Sequence, residues 1–216
     1  MLRTAPACIL AVRMLFFMSE GLASVVQELD AFLMGESKVQ RTLDGIAARL
    51  GEMGIDFALA GGLAVGVRGH LRVTIDVGLI ITNDGLARFK ARWLHRGYVE
   101  KFPGSRGVRD GETGVPIDFL VTGEFPGDGR PKSIRFPDPG SVPKVEGPYR
   151  VLDLRTLIEL KLAAGLSAPD RLQDLADVLS LVRANSLQES FAEALDSSVR
   201  EKYRELWAAA QSPSDR

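Results

Sequence analysis

FALAGGLAVGVRGHLRVTIDVGLII, residues Phe57–Ile81, is the stretch whose reading decides the fold of this 216-residue chain. The apolar run Phe57-Ala58-Leu59-Ala60 predicts a short buried strand, and the pair Gly61-Gly62 follows at once. Leu63, Ala64 and Val67 then predict a short helix, and Arg68, His70 and Arg72 a basic turn. A second strand is expected over Thr74–Ile81, with Asp76 near its start. Glycines let backbone N–H groups approach an anion, and a helix start adds a positive dipole end. A carboxylate on the neighbouring strand offers a hard oxygen to Mg²⁺. The stretch therefore has the ingredients of a phosphate and metal site.

Working outward, Leu22–Met34 carries apolar residues at helical spacing and ends at Gly35. Ser37 is placed to cap a second helix reaching about Met53, with Val39, Leu43, Ile46 and Leu50 on one face. Beyond the central stretch, Thr82-Asn83-Asp84 caps a helix expected over Gly85–Arg96. A strand over Tyr98–Phe102, a hairpin turning at Asp110-Gly111, and a strong strand over Val115–Val121 follow. Alternation in that last strand puts Ile117, Phe119 and Val121 on one face and Asp118 on the other. Thr122–Pro148, rich in Gly and Pro, predicts a long loop around one short edge strand, Ser133–Phe136. Asp153 caps a helix over Leu154–Ala164, and helices over Arg171–Ala184, Leu187–Leu195 and Val199–Ala210 complete the pattern. The sum is an α/β (α+β) fold, a mixed and mostly antiparallel sheet flanked by helices. Its expected organisation is an apolar extension (1–20), an α/β core (21–150), a helical portion (151–210) and a disordered tail (211–216).

The residues Gly61-Gly62, Arg72-x-Thr74-x-Asp76-x-x-Leu79-Ile80-Ile81 and Ile117-Asp118-Phe119-Leu120 resemble the minimal nucleotidyltransferases of the DNA-polymerase-beta superfamily. The likeness is nearest to the bacterial abortive-infection and toxin-like branch, and LIELKLAAG with RLQDLADVLSLV further on extends it. The resemblance implies a nucleotidyltransferase fold in which Asp76 takes the first acidic place and Asp118 the third. It implies Mg²⁺ held by both, and nucleotide contacts from Gly61, Gly62, Arg72, Thr74, Lys161 and Arg171. The middle place, where the family has a carboxylate, holds Gly78. Losing a carboxylate that bridges two metal ions is expected to cost on the order of 10³-fold or more in rate. Two readings therefore stay open. One is transfer of an NMP from an Mg-NTP to an RNA (such as tRNA), protein or small-molecule acceptor. The other is a catalytically impaired nucleotide-binding or protein-interaction module with the same fold. A cognate antitoxin is a further partner that the resemblance implies.

Composition sets the frame. Hydrophobic residues make up 45%, charged residues 25%, and the net charge is −1, which is ordinary for a globular protein and favours neither nucleic acid nor membrane. The charge is uneven: Arg68–Arg109 holds nine basic and three acidic residues, a basic patch suited to an anionic substrate. The single cysteine, Cys8, excludes an internal disulfide and fits a reducing cytoplasm. The start MLRTAPACILAVRMLFFM is too short and too broken by Arg13 to span a bilayer, and Met18 is a candidate initiator. Taken singly, several candidates have plainer readings: Asp76 as a surface partner of Arg72, Lys161 as a solvated helix residue, Arg171 and Asp174 as an i, i+3 pair. The order and spacing of the set favour the shared site.

Overall fold

The computed structural model describes residues 37–144 and 149–212. The extension 1–20 with Cys8, the helix expected over Leu22–Met34 and the last four residues of the tail lie outside the described residues. Helix α1, Lys38–Glu52, begins at Ser37, whose hydroxyl accepts from the Gln40 N–H at 3.2 Å. Its buried face is Val39, Leu43, Ile46 and Leu50, spaced as one helical stripe. Strand β1, Phe57–Ala60, runs straight into helix α2, Gly61–Val67. Then come β2, Val77–Ile81, and α3, Asn83–Trp93, capped by Thr82. Strands β3, Tyr98–Glu100, β4, Val108–Asp110, and β5, Pro116–Val121, complete the sheet. After a 3₁₀ turn at Pro139–Ser141 the chain enters α4, Leu154–Ser167, capped by Asp153, and α5, Leu172–Ala184. Two further 3₁₀ turns, Glu189–Ala194 and Ser197–Val199, lead to α6, Arg200–Gln211.

The five strands lie in the order β1-β2-β5-β4-β3. Among these five strands only β2 and β5 pair in parallel, and that pair sets Gly78 opposite Asp118. The other three pairings are antiparallel, with Ala60 of β1 opposite Gly78. The sheet is thus mixed and mostly antiparallel, as its alternating strands imply. All five residues of β2 are buried, while β5 alternates buried and half-buried. On one face Phe89 of α3 is fully enclosed, its ring 5.1 Å from that of Tyr98 and 5.5 Å from that of Phe119. The other face of β5 shows Asp118 and Leu120 to a cavity closed by Leu157 and Leu160 of α4. Burial pushes the Tyr98 hydroxyl up to about 12, and that hydroxyl accepts from Arg49 at 2.8 Å.

Several boundaries differ from the sequence reading. The second strand begins at Val77, not Thr74. β1 ends at Ala60, opposite Gly78, because the chain coils into α2 at Gly61; residues before Val77 have no β1 partner. Asp76 therefore stands just before the strand, not on it. Ser133–Phe136 is not a strand, although Phe136 exchanges backbone hydrogen bonds of 2.9 Å with Gly123 and Glu124 and Ile134 is buried. The helix expected over Leu187–Leu195 is a six-residue 3₁₀ turn, and Gln211, expected in the tail, closes α6. Among the described residues no helix is long and apolar enough to cross a membrane.

Phe89 joins α3 to the strand that carries Asp118. Phe89→Ala is expected to lower stability by about 3–5 kcal/mol, read as a shift of the urea midpoint without a change in slope.

Candidate functional site

A cavity of about 130 Å³ opens where β1 passes into α2, lined by Gly61, Asp76, Gly78, Asp118, Lys161 and Arg171 among others. Residues more than a hundred apart in sequence meet there because β2 and β5 are neighbours and α4 and α5 pack over them. Gly61 has a φ of +61°, a left-handed conformation that suits glycine. The helix it opens has seven residues, so its dipole is short, and the exposed backbone matters more than the macrodipole.

Gly62 and Thr74 act one step behind this lining. A Cβ at Gly62 would stand 2.6 Å from Thr74 Oγ1 and 3.2 Å from Arg72 Nη2, so glycine there allows the two segments to close. Thr74 is buried, and its hydroxyl donates to Asp76 Oδ1 at 2.8 Å, fixing the direction of that carboxylate.

Arg72 does not pair with Asp76. Its guanidinium makes a two-point contact with Asp177, at 2.7 and 3.0 Å. Lys161, far from being solvated, is buried and donates to Asp177 at 2.6 Å and Asp174 at 2.8 Å. Gln173 adds a third donor to Asp177 at 3.0 Å. Burial alone would raise the Asp177 carboxyl, but Arg72, Lys161 and Gln173 outweigh it and hold it below the usual carboxylate range. Arg171 stands 3.3 Å from Asp174, is half-exposed and lines the cavity. It is the lining cation with the most freedom to meet a ligand. The sequence reading missed Lys101, whose ammonium pairs with Asp118 Oδ1. The available signal was a basic residue leaving a strand that folds back toward Asp118 through the glycine-rich turn 104–107.

Apolar side chains make the rest of the cavity: Leu120, Phe136, Leu152, Leu157 and Leu160. A larger cleft, about 530 Å³, lies at the opposite end of β1 between Asp44, Gly51, Asp56, Phe57 and Tyr149. Its Asp44 is engaged by Gln40 and Tyr149, and its Asp56 faces Arg150 at 3.6 Å. The smaller cavity is the better site on chemistry, since its lining sets Asp76 and Asp118 beside the Gly61 turn and the half-exposed Arg171, whereas in the larger cleft Asp44 is engaged by Gln40 and Tyr149 and Asp56 faces Arg150. Among the described residues no group of three or more His, Cys, Asp or Glu side chains gathers to hold a metal. Asp76 and Asp118, both on the cavity lining, are the residues that would hold Mg²⁺, with water and phosphate oxygens completing its shell.

No family model matches the chain, and no curated protein matches it. Among solved structures it is similar to ANT(2'')-Ia in complex with adenylyl-2''-tobramycin, at 14% identity and a TM-score of 0.46, over 80% of this chain and 99% of that one. It is also similar to the solution structure of the antibiotic-resistance factor ANT(2'')-Ia, at 16% identity and a TM-score of 0.46, over 79% and 90% of the two chains. Neither likeness, at that score, carries the assignment of a function.

Asp177→Asn would leave Arg72 and Lys161 facing each other without their shared anion. It is expected to cost about 3–5 kcal/mol at pH 7, as for one partner lost from a buried pair. The folded carboxyl is held below its unfolded value of about 3.9, so its stabilisation is full above that pH and fades as pH falls through the folded value. Urea midpoints of the two proteins should therefore differ fully above about pH 4 and converge as pH falls below it.

Proposed function

We propose that this chain binds a nucleoside triphosphate with Mg²⁺ at the Asp76–Asp118 cavity and transfers its nucleotidyl group to an acceptor hydroxyl, releasing pyrophosphate. The observation that carries this reading is the shared lining: Gly61, Asp76, Asp118 and Arg171 open on one cavity with apolar walls. Asp76, held by Thr74, and Asp118 would hold Mg²⁺. Bound there, the ion would offset triphosphate charge and lower the pKa of the attacking hydroxyl. Arg171 supplies a cation at the rim for the phosphate chain, with the planar fork that suits phosphate oxygens. The backbone at Gly61 lets an anion come close. Leu120, Phe136, Leu157 and Leu160 offer an apolar wall to the base. Asp118 is placed to take the proton of the acceptor hydroxyl. Gly62, Arg72, Thr74 and Lys161 act in this reading by building the site, through the contacts described above.

The acceptor belongs to one of three classes, RNA, protein or small molecule, and a cognate antitoxin of a toxin-like, abortive-infection system is a separate partner in this reading. A cytoplasmic setting is part of the same proposal. A second reading has specific support. Gly78 supplies no carboxylate beside Asp118, and Lys101 already pairs with Asp118. Both features favour a module that binds nucleotide and transfers slowly or not at all.

The assay that separates the two readings uses α-labelled NTPs, Mg²⁺ and total RNA or cell lysate. Label transfer that drops on the order of 10²-fold or more in Asp76→Ala supports the enzyme. NTP binding without transfer supports the module, and no binding of any NTP overturns both.

Gly78→Asp tests the missing carboxylate. A Cβ at Gly78 would stand 3.3 Å from the Ala60 carbonyl oxygen and 3.6 Å from Gly61 Cα, so the end of β1 must yield slightly to admit it. The added carboxylate would sit across the β2–β5 pair from Asp118. The expected outcome is tighter Mg²⁺-dependent NTP binding and raised transfer, with a slightly lower Tm in the absence of metal from like-charge repulsion. Thermal unfolding of both versions with and without Mg-ATP reads the change; no extra metal-dependent rise in Tm would show that position 78 does not reach the ion.

A further inference from the structure

Asp118 faces the cavity with one oxygen already taken by the Lys101 ammonium. The surroundings hold that pair in place. The Lys101 N–H donates to the Gly107 carbonyl at 3.4 Å. Glu100, just before it, accepts from Lys90 at 3.0 Å and from the Gly104 N–H at 3.0 Å, and Lys90 also reaches the Ser105 carbonyl. The turn that carries Lys101 is thereby tied to α3. Gly107 provides the clearance: a Cβ there would stand 2.9 Å from Asp118 Oδ1 and 3.2 Å from Lys101 Cδ. A side chain at position 107 would press on the pair.

We propose that Lys101 is a built-in monovalent cation of this site. Its ammonium takes up Asp118 Oδ1, so Asp76 and the rest of the Asp118 carboxylate share one divalent ion with the nucleotide, and the site does not accept two. The part concerning nucleotide rests on the function proposed above; the competition for Asp118 does not. Charge points the same way. Asp76 and Asp118 bring two negative charges and Lys101 offsets one, while Asp174 on the same lining is already engaged by Lys161 and Arg171. One divalent ion then takes up the carboxylate charge left unpaired. A second would press a dication against an ammonium that shares its carboxylate, with no carboxylate at position 78 to offset the repulsion. The pair is only partly buried, with Lys101 25% and Asp118 44% exposed, so the ammonium is exchangeable and its removal should be readable as metal affinity.

The test titrates Mn²⁺ alone into wild type, Lys101→Met, Lys101→Gln, Lys101→Arg and Lys101→Met/Asp118→Asn, reading free Mn²⁺ by electron paramagnetic resonance. Thermal unfolding of each variant shows that it is folded, and the Gln variant serves if the Met variant is not. Both neutral variants are expected to bind Mn²⁺ about tenfold tighter than wild type, since an ammonium beside the carboxylate has gone. Lys101→Arg should keep wild-type affinity, and the Asp118→Asn change should erase the gain. Equal affinity in wild type and the neutral variants overturns the proposal. A second series adds a non-hydrolysable ATP analogue: one Mn²⁺ per wild-type chain supports the proposal, and two overturn it. If the analogue binds no version while the Mn²⁺ gain appears, the nucleotide reading fails and the role of Lys101 stands. If the analogue binds but the gain is missing, the proposal fails and the nucleotide reading stands.

Discussion

A carboxylate with no exposure to water must find its positive partners inside the fold, and Asp177 is such a group. Its partners come from distant parts of the chain: Arg72 from the segment between α2 and β2, Lys161 from α4, and Gln173 from its own helix. Much of the candidate site follows from this. Holding Arg72 against α5 fixes the segment leading into β2, and Thr74, two residues on, holds Asp76. Lys161 also engages Asp174, which faces Arg171 at the cavity rim. One buried anion thus connects Asp76 with Arg171 across the cavity. Gly62 is the steric condition for the arrangement, because a side chain there would collide with Thr74.

The sheet supplies the second constraint. The parallel pairing of β2 with β5 aligns the two, so the chain enters the site from Asp76 and meets Asp118 across the neighbouring strand. Antiparallel β1 ends beside the same point, which brings the turn at Gly61 to it. Phe119 packs against Phe89 on one face while Asp118 opens on the other. A one-residue slip of β5 would exchange these faces and bury the carboxylate against α3. The apolar alternation of that strand therefore secures the site as well as the core.

This explains which parts were legible in the sequence. The caps at Ser37, Thr82 and Asp153, the strand Phe57–Ala60 and the faces of Val115–Val121 depend on local pattern, and each stands where that pattern puts it. The mixed sheet followed from those elements. What pattern does not encode is which charges meet across the fold. Arg72 and Asp177 are 105 positions apart, and Lys161 reads locally as an ordinary surface lysine on a helix; only the packing of α4 against α5 buries it. The strand start at Val77 was hidden for a related reason, since Thr74–Asp76 has strand-like composition and the place where β1 gives way to α2 decides the pairing. Lys101 was hidden among nine basic residues until the β3–β4 turn brought it to Asp118.

The two lysines at the site differ in a way that bears on phosphate recognition. Lys161 is enclosed between two carboxylates, so its charge is spent inside the protein, and freeing it would strand Asp177. Lys101 has one carboxylate partner, Asp118, and the pair is only partly buried, so another cation can compete for that carboxylate. Arg171 is similar, half-exposed and facing only Asp174. Arg171 is therefore the lining cation freest to turn toward an incoming anion, Lys101 stays with Asp118, and Arg72 and Lys161 hold the frame. The number and burial of the partners, rather than residue type, divide those roles: all four are cations, and Arg72 and Lys161 are the two that the buried Asp177 has already claimed.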